Sequence, residues 1–343
     1  MTDDKQNYDY GIAILRVFMC FEVVLIHYLK QQLDFPGSGM VAYLRQFAVP
    51  VFMVLSFLLT QKKLEAVDSG WLIGRATRLL VPQFGWTVVY FLLYSLFDLM
   101  FHTEFTEPVD FWWQLALGHS LGLNPTMWFQ VVLIWMTVLF VIVIIVFRVK
   151  FVIPILICLS GLALIIEYTG VIMMLDVYRV EIKYPVGRMV AMIPLASAGY
   201  LMAYYGLIRR VKKNREATFL VASLLIILDY KWSLFNSLDG FGYTGLQAIV
   251  IAIALIVLME SLPFGKIGSK IKSVIRATAR FTLGIYCVHR MIGTILETII
   301  DHWRLSVPTG TLIECISIYI ISYLLCLIGY KLFKNTILRM MFD

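Results

Sequence analysis

Apolar residues gather in ten stretches of about 20, each long enough for a helix to cross a bilayer. They lie near 10–29, 41–60, 79–101, 127–147, 151–169, 186–206, 217–235, 243–260, 281–300 and 311–333. The pattern predicts an all-α polytopic integral membrane protein of about ten transmembrane helices. The seventh stretch is the weakest, because Asp229 and Lys231 interrupt its second half. No internal repeat and no linker breaks the sequence, so 1–343 reads as a single transmembrane domain, with no soluble C-terminal domain.

The segments between the stretches orient the bundle. With the N-terminus inside, the inner segments collect most of the 29 lysines and arginines, including Lys62, Lys63, Arg75, Arg78 and the run from Arg209 to Arg215. The outer segment 102–126 holds Glu104, Glu107 and Asp110 and no lysine or arginine. This is the positive-inside pattern, and it predicts that both termini are cytoplasmic. It also accounts for the net charge of +7 without nucleic acid. Composition agrees: 60% of residues are apolar and 15% charged, against about 45–50% and about 25% in soluble domains. Met1–Asn7 is polar and acidic, so no cleavable signal peptide is expected. The five cysteines all sit in apolar runs without C-x-x-C spacing, and read as small buried hydrophobes rather than disulfides or metal ligands.

Polar residues inside the apolar stretches carry the candidate chemistry. Arg16 and His27 lie eleven residues apart in the first stretch. At 100° per residue this is three turns plus about 20°, so both project from one helix face, roughly 16 Å apart along the axis. A cation and an imidazole there must face protein, ligand or water. Arg75 and Arg78 precede the third span, and i,i+3 spacing makes them a double cation suited to phosphate, or plain positive-inside charge. His289 and Arg290 fall near mid-membrane in the ninth span, a functional position by default. Glu22, Glu167, Asp229, Glu297 and Glu314 are further acids in or near the spans. Trp128 opens the fourth span, where an aromatic is ordinarily a belt residue. Glu104, Glu107, Asp110, Trp112 and Trp113 offer ring faces and acceptors to a neutral sugar entering from outside, or form a belt and a solvated loop.

Together these pieces resemble the bacterial membrane acyltransferase-3 family, which O-acylates cell-envelope carbohydrates. Arg16 and His27 match its Arg-x10-His pattern. Arg75 and Arg78 match its Arg-x-x-Arg. Val49–Thr60 is similar to its F-F-x-x-S-G-F-L-I-T segment, and Thr282–His289 to its S-x-x-I-Y-x-x-H segment, which contains Tyr286. Trp128-Phe129 falls where the family has a Trp-Phe pair. Two departures stand out: Ser56-Phe57 lacks the family's glycine, and Arg290 follows His289 where the family often has proline.

The resemblance implies an O-acyltransferase of the bacterial cytoplasmic membrane that moves an acyl group, most simply acetyl, from acetyl-CoA or another acyl-CoA. The acceptor would be a hydroxyl of a polysaccharide or its lipid-linked precursor, and no metal is implied. His27 and Arg16 would be catalytic, His27 as base or as acyl carrier. Arg75 and Arg78 would hold the CoA phosphates, and Trp128, Trp112, Tyr286, His289 and Arg290 would bind substrate. The expected partners are a carbohydrate acceptor and membrane lipids, with self-association left open. A flippase of a polar solute fits the embedded charges equally well, though no inverted repeat supports it. A scaffold in a synthesis complex would leave His27 idle.

Overall fold

The computed structural model describes residues 9–30, 38–101, 108–118, 126–170, 180–235, 245–264, 267–303 and 310–343. The described residues contain helices and no strand. Among the described residues, nine segments are long and apolar enough to cross a membrane, and Gly245–Ser261, a shorter apolar helix of 17 residues, stands at the expected eighth span. Glu104 and Glu107 lie outside the described residues, as does the side chain of Asp110.

The buried core draws on most of the long helices. α1 (Tyr10–Tyr28) starts where Asp9 caps its first turn, accepting from the N–H groups of Gly11 and Ile12 at 3.1 and 3.3 Å. After α2 (Ser38–Leu44) and a short 3-10 turn, α3 (Ala48–Glu65) runs back beside it. α4 (Ser69–Phe101) follows, then α5 (Pro108–Leu117), whose buried Gln114 offers its carbonyl to Gln83 at 2.7 Å. The missing glycine after Ser56 is answered from the opposite helix. In α7 (Val180–Tyr204), a Cβ on Gly199 would lie 2.2 Å from the Val54 carbonyl oxygen, so glycine there lets α7 press on α3.

α6 (Trp128–Thr169) is helical throughout, where two spans joined by a turn are expected. A straight helix of 42 residues would be about 63 Å long, twice the hydrocarbon core of ~30 Å. Its two ends lie at the same end of the bundle. Trp128 packs on Arg188 beside His27. The Tyr168 hydroxyl accepts from the N–H of Leu246, at the start of α10 (Gly245–Ser261). The far end of α10, at Glu260, lies with Asp9 and Lys212 at the opposite pole. α6 therefore doubles back, and 128–147 and 151–169 act as two spans.

Between α7 and α10 run α8 (Leu207–Lys213) and α9 (Arg215–Phe235). Then come α11 (Ser269–Arg280), α12 (Thr282–His302) and α13 (Leu312–Leu332). The C-terminal residues fold back into the bundle rather than trailing from it. Met341 and Phe342 are buried, the Trp86 indole N–H donates to the Met341 carbonyl at 2.9 Å, and Arg280 pairs with Asp343 at 2.8 Å.

Candidate active site

The α1–α12 seam explains why Arg16 and His27 share a face: both point at α12. Arg16 donates to the Thr282 hydroxyl at 2.8 Å, and the Cys20 thiol to the Thr282 carbonyl at 3.4 Å. α12 thus begins level with the second and third turns of α1, not with its start. Seven residues later, about 10 Å outward, His289 reaches the His27 ring. The ring centres are 5.4 Å apart and tilted by 31°. The stagger reconciles a histidine near the outer end of α1 with one that the sequence places near mid-membrane.

His289 is 0% exposed, and its Nδ1 lies 2.7 Å from the Tyr286 carbonyl. A carbonyl only accepts, so Nδ1 carries the proton and Nε2 keeps its lone pair. That Nε2 is buried without a hydrogen-bond partner among the described residues. The backbone around His289 is clamped on two sides. The Tyr90 hydroxyl donates to the Cys287 carbonyl (2.8 Å) and accepts from the Met291 N–H (2.9 Å), inserting into the helix ladder just there. The Tyr28 hydroxyl donates to the Arg290 carbonyl at 3.0 Å.

His27 lines a cavity of about 120 Å³ with Val23, Ile26, Val49, Thr126, Trp128, Arg188 and Tyr286. Trp128 is 5% exposed, so it is a wall of this cavity and not an interfacial belt residue. The Arg188 guanidinium lies over its ring, 4.6 Å from the centre. Tyr286 donates its hydroxyl proton to the Thr126 carbonyl, which fixes the opposite wall. No carboxylate is among the described residues that line the cavity.

Arg188 is the residue that sequence reasoning missed. The signal was present, since Arg188 is a cation inside the sixth apolar stretch, as Arg16 is in the first. Trp112, Arg290 and Arg16, expected at the site, stand apart from the cavity, as do Arg75 and Arg78. Trp112 is 66% exposed on α5, against Phe111. The Arg290 guanidinium lies over the Tyr28 ring at 5.5 Å. Arg16 lies about 16 Å from His27 along α1.

A second polar cluster sits deeper in the bundle. Arg75 donates from Nε to the Thr137 hydroxyl (2.9 Å) and from Nη2 to the Ser56 hydroxyl (2.8 Å). Its guanidinium lies near the Phe57 and Trp71 rings, 5.7 and 5.6 Å from their centres. Arg78, one turn on, is exposed. The two arginines of the motif are therefore in different environments, one inside the bundle and one at its surface. From Ser56 to Val49 is seven residues of α3, and from Thr137 to Trp128 nine of α6. Both rulers put the cluster about 10–14 Å from the cavity.

The chain matches the family model described as an acyltransferase domain over residues 9–331. It belongs to the acyltransferase-3 family. The protein is thus a multi-pass membrane acyltransferase, and the match covers both clusters. No curated protein and no solved structure matches the chain.

Proposed function

We propose that this acyltransferase moves an acetyl group from acetyl-CoA to a hydroxyl of an envelope polysaccharide sugar or its lipid-linked precursor, in a bacterial cytoplasmic membrane. The observation that carries the reading is the placement of His27, beside His289 and Arg188 in a cavity closed by Val23, Ile26 and Val49. A cavity of about 120 Å³ is far below the roughly 300–1,000 Å³ that holds a whole ligand. It accommodates the reacting ends only, which favours a short acyl group.

The donor would enter from the basic end of the bundle. Arg75 spends two of its five N–H donors on hydroxyls and keeps the rest for an anion. Arg78 stands at the surface, at the start of the same path, and Arg16 lies deeper along the seam. The thioester then has about 10–14 Å to travel along α3 and α6 to reach His27.

At the cavity, His27 takes the proton of the acceptor hydroxyl, since an imidazole ordinarily titrates near neutral pH. The hydroxyl oxygen attacks the thioester carbon, the C–S bond breaks, and CoA leaves with the proton. The alternative route, in which His27 first carries the acyl group, uses the same residues. Arg188 stands where it can stabilise the oxyanion or an anionic group on the acceptor. Trp128 and Tyr286 give the sugar a ring face and a wall, while Trp112 is not needed. Mass spectrometry of envelope glycans from cells with and without the gene tests the assignment: an O-acetyl ester should be lost with the gene. Identical glycans in the two strains would refute it.

A further inference from the structure

A second cavity lies apart from the His27 site. It is a groove of about 810 Å³ between α9 and α10, open to the outside of the bundle. Its walls are apolar, with Val221 and Leu225 on α9 and Val250 and Val257 on α10. Its mouth is charged and lies at the end of the bundle where the basic segments gather. Lys213 and Arg215 are exposed there, with Glu216 beside them. Lys212, also at the mouth, is already committed, 2.6 Å from Asp9 and 2.9 Å from Glu260. It ties α8 to α1 and α10 and so holds the mouth in place.

The dimensions fit a lipid. From Asn214 at the mouth to Leu225 is eleven residues, about 16 Å of helix. That is close to one leaflet of a hydrocarbon core of ~30 Å. The groove thus runs from the membrane surface to about the mid-plane, with cations at the headgroup level and branched apolar side chains below.

We propose that this groove is a binding site for an anionic glycerophospholipid of the cytoplasmic leaflet. Its phosphate sits at Lys213 and Arg215, and one acyl chain lies along Val221 and Leu225. Charge complementarity selects the lipid: two exposed cations outnumber the one acid at the mouth. The site is separate from the acyl-transfer cavity and does not rest on the proposed reaction.

The test is native mass spectrometry of the purified full chain, after exchange into equal mixtures of phosphatidylglycerol and phosphatidylcholine with the same chains. The wild type should retain phosphatidylglycerol in preference. Lys213→Gln with Arg215→Gln should lower that retention about tenfold or more. Val221→Trp, which fills the groove and leaves the cations, should lower retention of both lipids. Lys270→Gln with Lys334→Gln, at exposed positions outside the groove, should change nothing. Equal retention of the two lipids by the wild type would overturn the proposal. So would an equal loss from the distant pair, which would assign the preference to diffuse surface charge, or undiminished retention in Val221→Trp.

Discussion

Arg75 and His27 both place a polar group inside the bundle, about 10–14 Å apart, and they are held in opposite ways. Arg75 is gripped, with two hydroxyls on its guanidinium and aromatic rings nearby. His27 faces open space, next to a histidine whose buried Nε2 has no partner among the described residues. A cation anchored through two of its five donors is suited to holding an anion still. An imidazole on a cavity, with an unpartnered acceptor beside it, is suited to exchanging a proton. This difference is the basis on which we propose binding for one cluster and reaction for the other.

Substitutions that should affect one cluster and spare the other probe this division. Among residues other than His27, the largest effect is expected at Arg188. Arg188→Gln keeps hydrogen-bonding capacity but removes the charge, and it should lower turnover by about 10²-fold, the scale of losing one oxyanion donor. CoA affinity should not change, and turnover and CoA affinity measured on the same purified protein check both halves. Next comes Arg75→Ala, which should weaken CoA binding by about 1.5–3 kcal/mol, the scale of a charge-assisted hydrogen bond. Arg75→Lys should rescue little, because an ammonium cannot serve Ser56 and Thr137 with the same fork. Calorimetric titration with CoA reads both variants, and unchanged affinity in Arg75→Ala would return this arginine to a purely structural role. The smallest effect is expected at Trp112. Exposed and apart from the cavity, Trp112→Ala should leave CoA binding and acceptor dependence alone, and a raised acceptor requirement would restore an entry path along α5.

The two clusters were unequally legible in the sequence. That Arg16 and His27 look at one neighbour followed from 100° per residue and holds against α12. That His289 would be that neighbour's contribution at His27 did not follow. It depends on α12 starting level with Arg16 and Cys20, which is a matter of packing between helices far apart in sequence. Arg75 and Arg78 have the ideal spacing for a pair, but the side chains around them decide their burial. Ser56, Phe57 and Thr137 surround one of them, and no local pattern announces that. Arg188 carried the same signal as Arg16 and went unread. Nine of the ten expected spans were readable from hydropathy, and the eighth is a shorter apolar helix, whereas the unbroken helical run through Arg148–Lys150 and the buried return of Met341 and Phe342 were not. Charge marks a turn between spans without fixing its conformation, and a short tail has too few residues to show a period.

We propose that His27 reacts and does not bind the donor. Binding and turnover measured together on purified His27→Ala protein in lipid bilayers test it most directly, with CoA titration for the first and release of free CoA from acetyl-CoA in the presence of acceptor for the second. The expected result is wild-type CoA affinity with transfer abolished. A folded His27→Ala protein that still releases CoA at most of the wild-type rate, or that has lost CoA binding together with transfer, would contradict it.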